Sequence, residues 1–249
     1  MSEFTAELIG TMLLILLGTG VCANVVLQGT KGNNSGWLVI TTGWALAVYV
    51  GVVFATPFSG AHLNPAVTFG LAITGKFAWA KVAPYMLAQL IGSIIGATIT
   101  GLIYRDHLNT TTDSETKLAV FSTSPAIHNR VFNLLSEITG TFVLMFVIFY
   151  ITGAEITTEK TPIGLGSIGA IPVMFLVWSI GISLGGTTGY AINPARDIGP
   201  RLVHSFLPMK NKGTSNWKYA WIPVVGPLFG AAIAAFLYMM LEANLHPSV

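Results

Sequence analysis

The sequence predicts an all-α membrane protein of six transmembrane helices plus two re-entrant half-helices, arranged as an inverted 3+3 repeat. Three observations predict it. Charged residues are only 9% of the 249, against 53% hydrophobic, whereas a soluble domain carries about 25% charged residues. Six long apolar runs each hold one charge or none. The second half of the chain repeats the first, with an Asn-Pro-Ala element in each copy.

The runs are 4–26, 37–57, 82–104, 131–153, 163–185 and 219–241; Glu7 and Glu137 are the only charges in them. A hydrocarbon core of roughly 30 Å takes about 20 residues at 1.5 Å each, so every run is long enough to span. Backbone groups in lipid must be satisfied internally, and these runs lack the polar alternation of a barrel strand, so they are helices. No basic stretch precedes the first run, so it does not read as a cleavable leader. The net charge of +2 is spread over loops and gives no footprint for nucleic acid. Cys22, the only cysteine, reads as a buried inert thiol.

Ala6-Glu7-Leu8-Ile9-Gly10-Thr11 is echoed by Ser136-Glu137-Ile138-Thr139-Gly140-Thr141, and Asn64-Pro65-Ala66 by Asn193-Pro194-Ala195. Gly92-Ser93-Ile94-Ile95-Gly96-Ala97 is echoed by Gly226-Pro227-Leu228-Phe229-Gly230-Ala231, in the same order. The single transmembrane domain 1–249 therefore divides into a first repeat 1–104, a polar linker loop 105–130 and a second repeat 131–249. Three runs per copy is an odd number, so the second copy enters the membrane from the opposite side. The Gly92/Gly96 and Gly226/Gly230 pairs have the spacing that lets helix backbones cross closely.

Each Asn-Pro-Ala reads as a helix start, with Asn as N-cap and Pro at the first helical position. The helices are expected over 65 to about 75 and 194 to about 202. Neither reaches across a bilayer, so the two dip in from opposite faces and their N-termini meet near the midplane. The irregular backbone ahead of them, residues 60–63 and 188–192, is tolerated at that depth only where it is buried or lines a wet cavity. Its carbonyls, at Gly60, Ala61, His62, Thr188, Gly189 and Ala191, are therefore expected along a pore. Each helix N-terminus carries roughly +0.5 charge, so the midplane repels cations, the device general to pores of this kind. Asn64 and Asn193 are placed both to cap and to offer an amide donor to a passing oxygen.

Ser59-Gly60-Ala61-His62-Leu63-Asn64-Pro65-Ala66-Val67 and Gly189-Tyr190-Ala191-Ile192-Asn193-Pro194-Ala195-Arg196-Asp197 resemble the paired signature loops of the aquaporin, or major intrinsic protein, family. Two copies in matching places of a six-run repeat are specific, and the similarity covers nearly the whole chain. The resemblance implies a right-handed bundle, a homotetramer with one pore per subunit surrounded by membrane lipid, and residence in the cell (plasma) membrane with both termini cytoplasmic. No cofactor or metal is implied, and His62 has no metal-ligand spacing around it.

The family pattern also places a selectivity filter at Trp44, Gly181, Tyr190 and Arg196, spaced as in the glycerol-facilitator branch. Trp44 and Tyr190 would give an apolar corner for the carbon edge of glycerol, and Arg196, held by loop carbonyls, would take the hydroxyls. Gly181 would leave room where water-selective relatives carry histidine. Tyr190 departs from the phenylalanine of the best-known bacterial facilitators, so its hydroxyl either narrows the filter or adds a hydrogen bond, and the order of glycerol, urea and water stays open. Glu7, Glu137, Gln89 and Asp197 are expected to support the loops, with a proton relay as the alternative for the two glutamates.

The function implied is passive conduction of glycerol and related small uncharged solutes, with ions and protons excluded. A water-selective channel and a secondary transporter are the alternatives. An enzyme finds no support, since no activated nucleophile, metal-ligand set or phosphate loop is present. Charge disagrees with the implied orientation. The inner segments would hold Lys76, Lys81 and Lys160, and the outer ones Lys31, Arg105, Lys117, Arg130, Arg201, Lys210, Lys212 and Lys218, the reverse of the positive-inside rule.

Overall fold

The structure, a computed structural model, describes residues 1–156, 159 and 161–245, the last without its side chain. Helix α1 (Glu3–Val26) starts at Ser2, whose hydroxyl accepts the Thr5 N–H at 3.2 Å. Helix α2 (Trp37–Ser59) ends at Gly60, whose φ of 81° turns the chain away while its N–H closes on Thr56 O. Then follow α3 (Pro65–Ile73), a single 3-10 turn and α4 (Val82–Ile103). Segment 105–130 contains two short helices, α5 (Arg105–Thr110) and α6 (Ser114–Phe121).

The second half begins with α7 (Arg130–Tyr150). Strands β1 (Ala154–Ile156) and β2 (Thr161–Ile163) form an antiparallel hairpin with Ala154 opposite Ile163. The chain continues through α8 (Ile171–Leu184), α9 (Pro194–Phe206) and α10 (Ile222–Leu245). Among the described residues six helices are long and apolar enough to cross a membrane, the fifth counted from the 3-10 turn at Gly166 to Leu184. The fifth run therefore starts later than residue 163, because β2 takes Ile163 and the glycines at 164, 166 and 169 favour a looser entry than α-helix.

The two halves pack alike. Helix α1 lies against α4 and α2, as α7 lies against α10 and α8; α3 packs on α10, and α9 on α4. Glycine sets the closest crossings. A Cβ at Gly92 would sit 2.2 Å from Leu8 O, and one at Gly96 2.5 Å from Met12 O. A Cβ at Gly226 would fall 2.6 Å from Glu137 Cβ, and one at Gly230 2.3 Å from Ile138 O. These approaches leave no space for any larger residue. Outward faces are apolar, with Leu38, Leu102, Ile103, Phe229 and Met240 all exposed, as a lipid-facing surface requires.

The half-helices differ in length. Helix α3 has 9 residues and α9 has 13, about 14 and 20 Å at 1.5 Å each, so neither crosses a roughly 30 Å core. Helix α3 stops two residues before the expected Gly75, which takes φ +71°. Helix α9 runs four residues past Leu202, through Pro200. Its extension is anchored by Arg201, which is fully buried and donates to both Asp197 oxygens at 2.8 and 2.9 Å and to the carbonyls of Thr123 and Ser215 at 2.8 and 2.7 Å.

Candidate functional site

The site starts from two strained loops. Residues Gly60, Ala61 and Leu63 have φ of 81°, 56° and 51°, and Gly189, Tyr190 and Ile192 have 84°, 38° and 43°. The same three positions of each loop are left-handed. For a residue with a side chain this costs of order 1–3 kcal/mol, so something must hold them.

Two buried carboxylates do. Glu7 Oε1 accepts the Ser59 hydroxyl at 2.6 Å and the His62 N–H at 2.9 Å, while Oε2 accepts the Leu63 N–H at 2.7 Å and Gln89 Nε2 at 2.8 Å. Glu137 Oε1 accepts the Thr188 hydroxyl at 2.7 Å and the Ala191 N–H at 3.0 Å, and Oε2 accepts the Ile192 N–H at 3.0 Å. Gln89 also donates to the Thr68 hydroxyl at 3.0 Å, which in turn meets His62 Nδ1 at 3.1 Å. With their N–H groups turned to the carboxylates, the loops leave the carbonyls of Gly60, Ala61, His62, Gly189, Tyr190 and Ala191 without a hydrogen-bond donor among the described residues.

The Asn side chains then join the loops. Asn64 Oδ1 accepts the Ala66 N–H at 2.8 Å and Asn193 Oδ1 accepts those of Ala195 and Arg196 at 3.0 and 3.2 Å, which caps α3 and α9 behind Pro65 and Pro194. Each Asn Nδ2 also donates across to the other loop: Asn64 to Ile192 O at 2.8 Å and Asn193 to Leu63 O at 2.9 Å. An amide nitrogen carries two hydrogens, so one on each Asn remains for another acceptor. Pro65, Ala66, Pro194 and Ala195 are buried in the contact behind the tips.

One cavity of about 290 Å³ touches both tips. Gly60, Ala61, His62, Leu63, Asn64, Tyr190, Ala191, Ile192, Asn193 and Arg196 are in its wall. So are the apolar side chains of Leu14, Val48, Val52, Leu71, Leu144 and Val177. The lining is therefore amphipathic, combining the loops with their open carbonyls and amide donors and a set of hydrocarbon side chains.

At one end Trp44, Tyr190 and Arg196 come together. The Arg196 guanidinium carbon lies 4.0 Å from the centre of the Trp44 ring. No side-chain hydrogen bond fixes Arg196 among the described residues, so stacking holds it where loop carbonyls were expected. Such a contact is worth about 0.5–2 kcal/mol, and it leaves the guanidinium N–H groups open. Asp197 does not pair with Arg196. It accepts the Thr123 N–H and hydroxyl at 2.8 and 2.6 Å and pairs with Arg201.

Gly181 and the loop positions Thr188 and Gly189 are not in the cavity wall. Thr188 faces Glu137, and the Gly189 N–H bonds Gly185 O at 2.8 Å. Gly181 is covered by Tyr190: a Cβ there would lie 2.8 Å from Tyr190 Cζ and 3.0 Å from its hydroxyl oxygen. The Tyr190 hydroxyl is buried and has no hydrogen-bond partner among the described residues. The glycine thus makes room for the tyrosine, and the hydroxyl tucks in beside it.

Sequence reasoning missed the residues that seat these rings. A Cβ at Gly18 would lie 2.3 Å from the Trp44 ring, and one at Gly185 2.4 Å from Tyr190 Cδ1. Cys22 is buried as expected and also accepts the Trp44 Nε1–H at 3.2 Å. Trp37 meets Tyr190 edge-on at 5.9 Å and donates Nε1–H to Gly181 O at 3.1 Å.

The chain was compared with known proteins. Residues 1–238 match the family described as "Major intrinsic protein". The chain is 51% identical, over 97% of its length and 100% of the relative's, to a "Probable glycerol uptake facilitator protein" of Thermotoga maritima. It is 50% identical, over 96% of its length and 99% of the relative's, to the "Glycerol uptake facilitator protein" of Streptococcus pneumoniae. The X-ray structure of the aquaglyceroporin from Plasmodium falciparum superposes with a TM-score of 0.82 at 30% identity, over 99% of this chain and 98% of that one.

Proposed function

We propose, from the premise that this chain belongs to the major intrinsic protein family, that it is a passive membrane channel for glycerol and other small uncharged solutes such as urea and water. The observation that carries the reading is the amphipathic cavity beside Asn64 and Asn193. A linear polyol has a hydroxyl edge and a carbon edge. Removing a hydroxyl from water without a partner costs roughly 2–7 kcal/mol. The open carbonyls of Gly60, Ala61, His62, Tyr190 and Ala191 supply replacement partners, while the Leu and Val wall takes the carbon edge.

Trp44, Tyr190 and Arg196 form the selectivity filter in this reading. Arg196 offers donors to the hydroxyls, and its charge repels cations. Gly181 contributes from behind by letting Tyr190 lie back. The facing tips of α3 and α9 add a second positive barrier. The oxygens of Glu7 and Glu137 are taken up by loop donors, which supports a static brace in place of a proton relay.

The repeats are 1–104 and 131–249, joined by 105–130, and the matched contacts of the two halves support that division. The protein works as a homotetramer in the plasma membrane, surrounded by lipid, with both termini cytoplasmic. In that orientation two of the outer cations are not free. Arg201 is paired with Asp197, and Lys117 is buried against the carbonyls of Lys210 and Asn211. Burial lowers the pKa of Lys117, further weakening its claim on orientation. Lys160 lies outside the described residues.

Reconstituted vesicles test the reading. Glycerol influx should exceed that of protein-free vesicles and be the same with and without an imposed proton or sodium gradient. Flux that follows either gradient would turn the reading toward coupled transport.

A further inference from the structure

A second polar cavity, of about 230 Å³, lies where the N-terminal ends of α7 and α10 come together, and it is separate from the pore. Three basic residues, His128, Arg130 and Lys218, are in its wall, and no carboxylate is. Among the described residues neither Arg130 nor Lys218 has an ion-pair partner. Asn129 and Asn133 add amides. Tyr219 also lines the cavity, is 5% exposed, and has a buried hydroxyl with no hydrogen-bond partner among the described residues. Buried polar groups are rarely left unpaired unless something outside the chain satisfies them.

Charge and helix direction agree. The N-terminal end of α7 brings roughly +0.5 charge to the cavity, whereas at α10 the Ile222, Val224 and Val225 N–H groups are already taken by Tyr219 O and Trp221 O. Asn129 Oδ1 takes the Phe132 N–H at 3.3 Å, but the Arg130 and Val131 N–H groups have no acceptor among the described residues. Open first-turn N–H groups and cations without carboxylates are the features that bind oxyanions.

We propose that this cavity binds an oxyanion of the phosphate class, held by Arg130 and Lys218 over the start of α7. Its source is either the headgroup of an anionic lipid or free phosphate. Trp217 and Trp221 are half exposed beside it, as aromatics at the membrane interface are. Val131 and Phe132, next along α7, are 73% and 65% exposed, which puts an apolar surface for an acyl chain directly next to the charged one.

The test uses the full chain in detergent, wild type and Arg130→Gln/Lys218→Gln. Isothermal titration calorimetry with inorganic phosphate reads the free ion. Native mass spectrometry from micelles doped with dioleoyl phosphatidylglycerol, or with phosphate-free monogalactosyl diacylglycerol, reads the lipid. Phosphate binding that weakens at least tenfold in the double variant supports the site with the free ion as a ligand. Selective retention of phosphatidylglycerol by the wild type alone supports it with a headgroup as the ligand. Binding of neither probe, or binding that the double substitution leaves unchanged, overturns the proposal. Glycerol flux of the double variant, expected to equal wild type, shows that it is folded; if flux is lost, Lys218→Gln alone is carried through both measurements with the same criteria.

Discussion

Asn64 and Asn193 hold each other's loops. Each caps its own half-helix through Oδ1 and donates Nδ2 to the carbonyl of the residue just before the other, Ile192 at 2.8 Å and Leu63 at 2.9 Å. The contact between the two tips is therefore a closed pair of bonds. Cutting either one frees a carbonyl at the centre of the protein and loosens both helix starts.

Asn64→Ala and Asn193→Ala should each cost about 2 kcal/mol, from a lost cap at roughly 0.5–2 and a lost hydrogen bond at about 1. The double variant should cost less than the sum, because the first cut already releases the partner loop. Unfolding of purified protein in detergent by denaturant reads this. Strict additivity would mean that the two bonds act independently.

Gly181→Ala places a Cβ 2.8 Å from Tyr190 Cζ, and Gly18→Ala places one 2.3 Å from the Trp44 ring. Both rings line the cavity, so each substitution should push a ring into it and cut glycerol flux about tenfold or more, with water flux falling less. Gly181→His should follow the same order more strongly. Stopped-flow light scattering on vesicles measures both solutes. An equal loss of glycerol and water flux would point to misfolding.

Tyr190→Phe should leave glycerol flux within about twofold of wild type and leave stability unchanged or slightly raised. The hydroxyl is buried with no partner among the described residues, and removing an unpaired buried polar group recovers its desolvation cost, about 1–3 kcal/mol at most. A large change in the ratio of glycerol to urea flux would show that the hydroxyl reaches the solute after all.

The architecture was legible because it depends on local pattern. Run length, the Asn-Pro pair at a helix start and the spacing of Gly92/Gly96 and Gly226/Gly230 are written in neighbouring residues. Much of the site is not local. Arg196 rests on Trp44, which lies on α2, and Gly181 is shaped by Tyr190 from the next segment. Gly18 looks like any small residue in an apolar helix until Trp44 is placed against it. Arg201 counted only as one of the outer cations until Asp197, one turn away, and the carbonyls of Thr123 and Ser215 surrounded it. The hairpin at β1 and β2 had no signal, since its residues sit at the edge of an apolar run.

Arg196→Ala should weaken exclusion of charged solutes while glycerol still passes. Among the described residues the guanidinium stacks on Trp44 and makes no side-chain hydrogen bond, so its removal takes a positive charge from the cavity wall and leaves the Trp44 ring less constrained. Methylammonium entry into vesicles, compared with glycerol entry in the same preparation, should rise several-fold relative to wild type. Selectivity equal to wild type would place the barrier elsewhere, at the tips of α3 and α9.

Glu137→Gln separates the brace from a proton relay. The variant keeps one side-chain oxygen but replaces the other with an amide donor. That donor must face either the Ile192 N–H or the pair formed by the Thr188 hydroxyl and the Ala191 N–H. A donor facing a buried donor leaves both unsatisfied, at about 1–3 kcal/mol, and the left-handed Tyr190 and Ile192 lose part of what holds them. Stability and glycerol flux should therefore fall together, and the remaining flux should ignore an imposed proton gradient. Glu7→Gln should behave the same way, since the Leu63 N–H and Gln89 Nε2 meet one of its oxygens as donors, and Ser59 and His62 the other. A relay predicts a different pair of results: wild-type flux that responds to the gradient, and a variant that is stable but uncoupled.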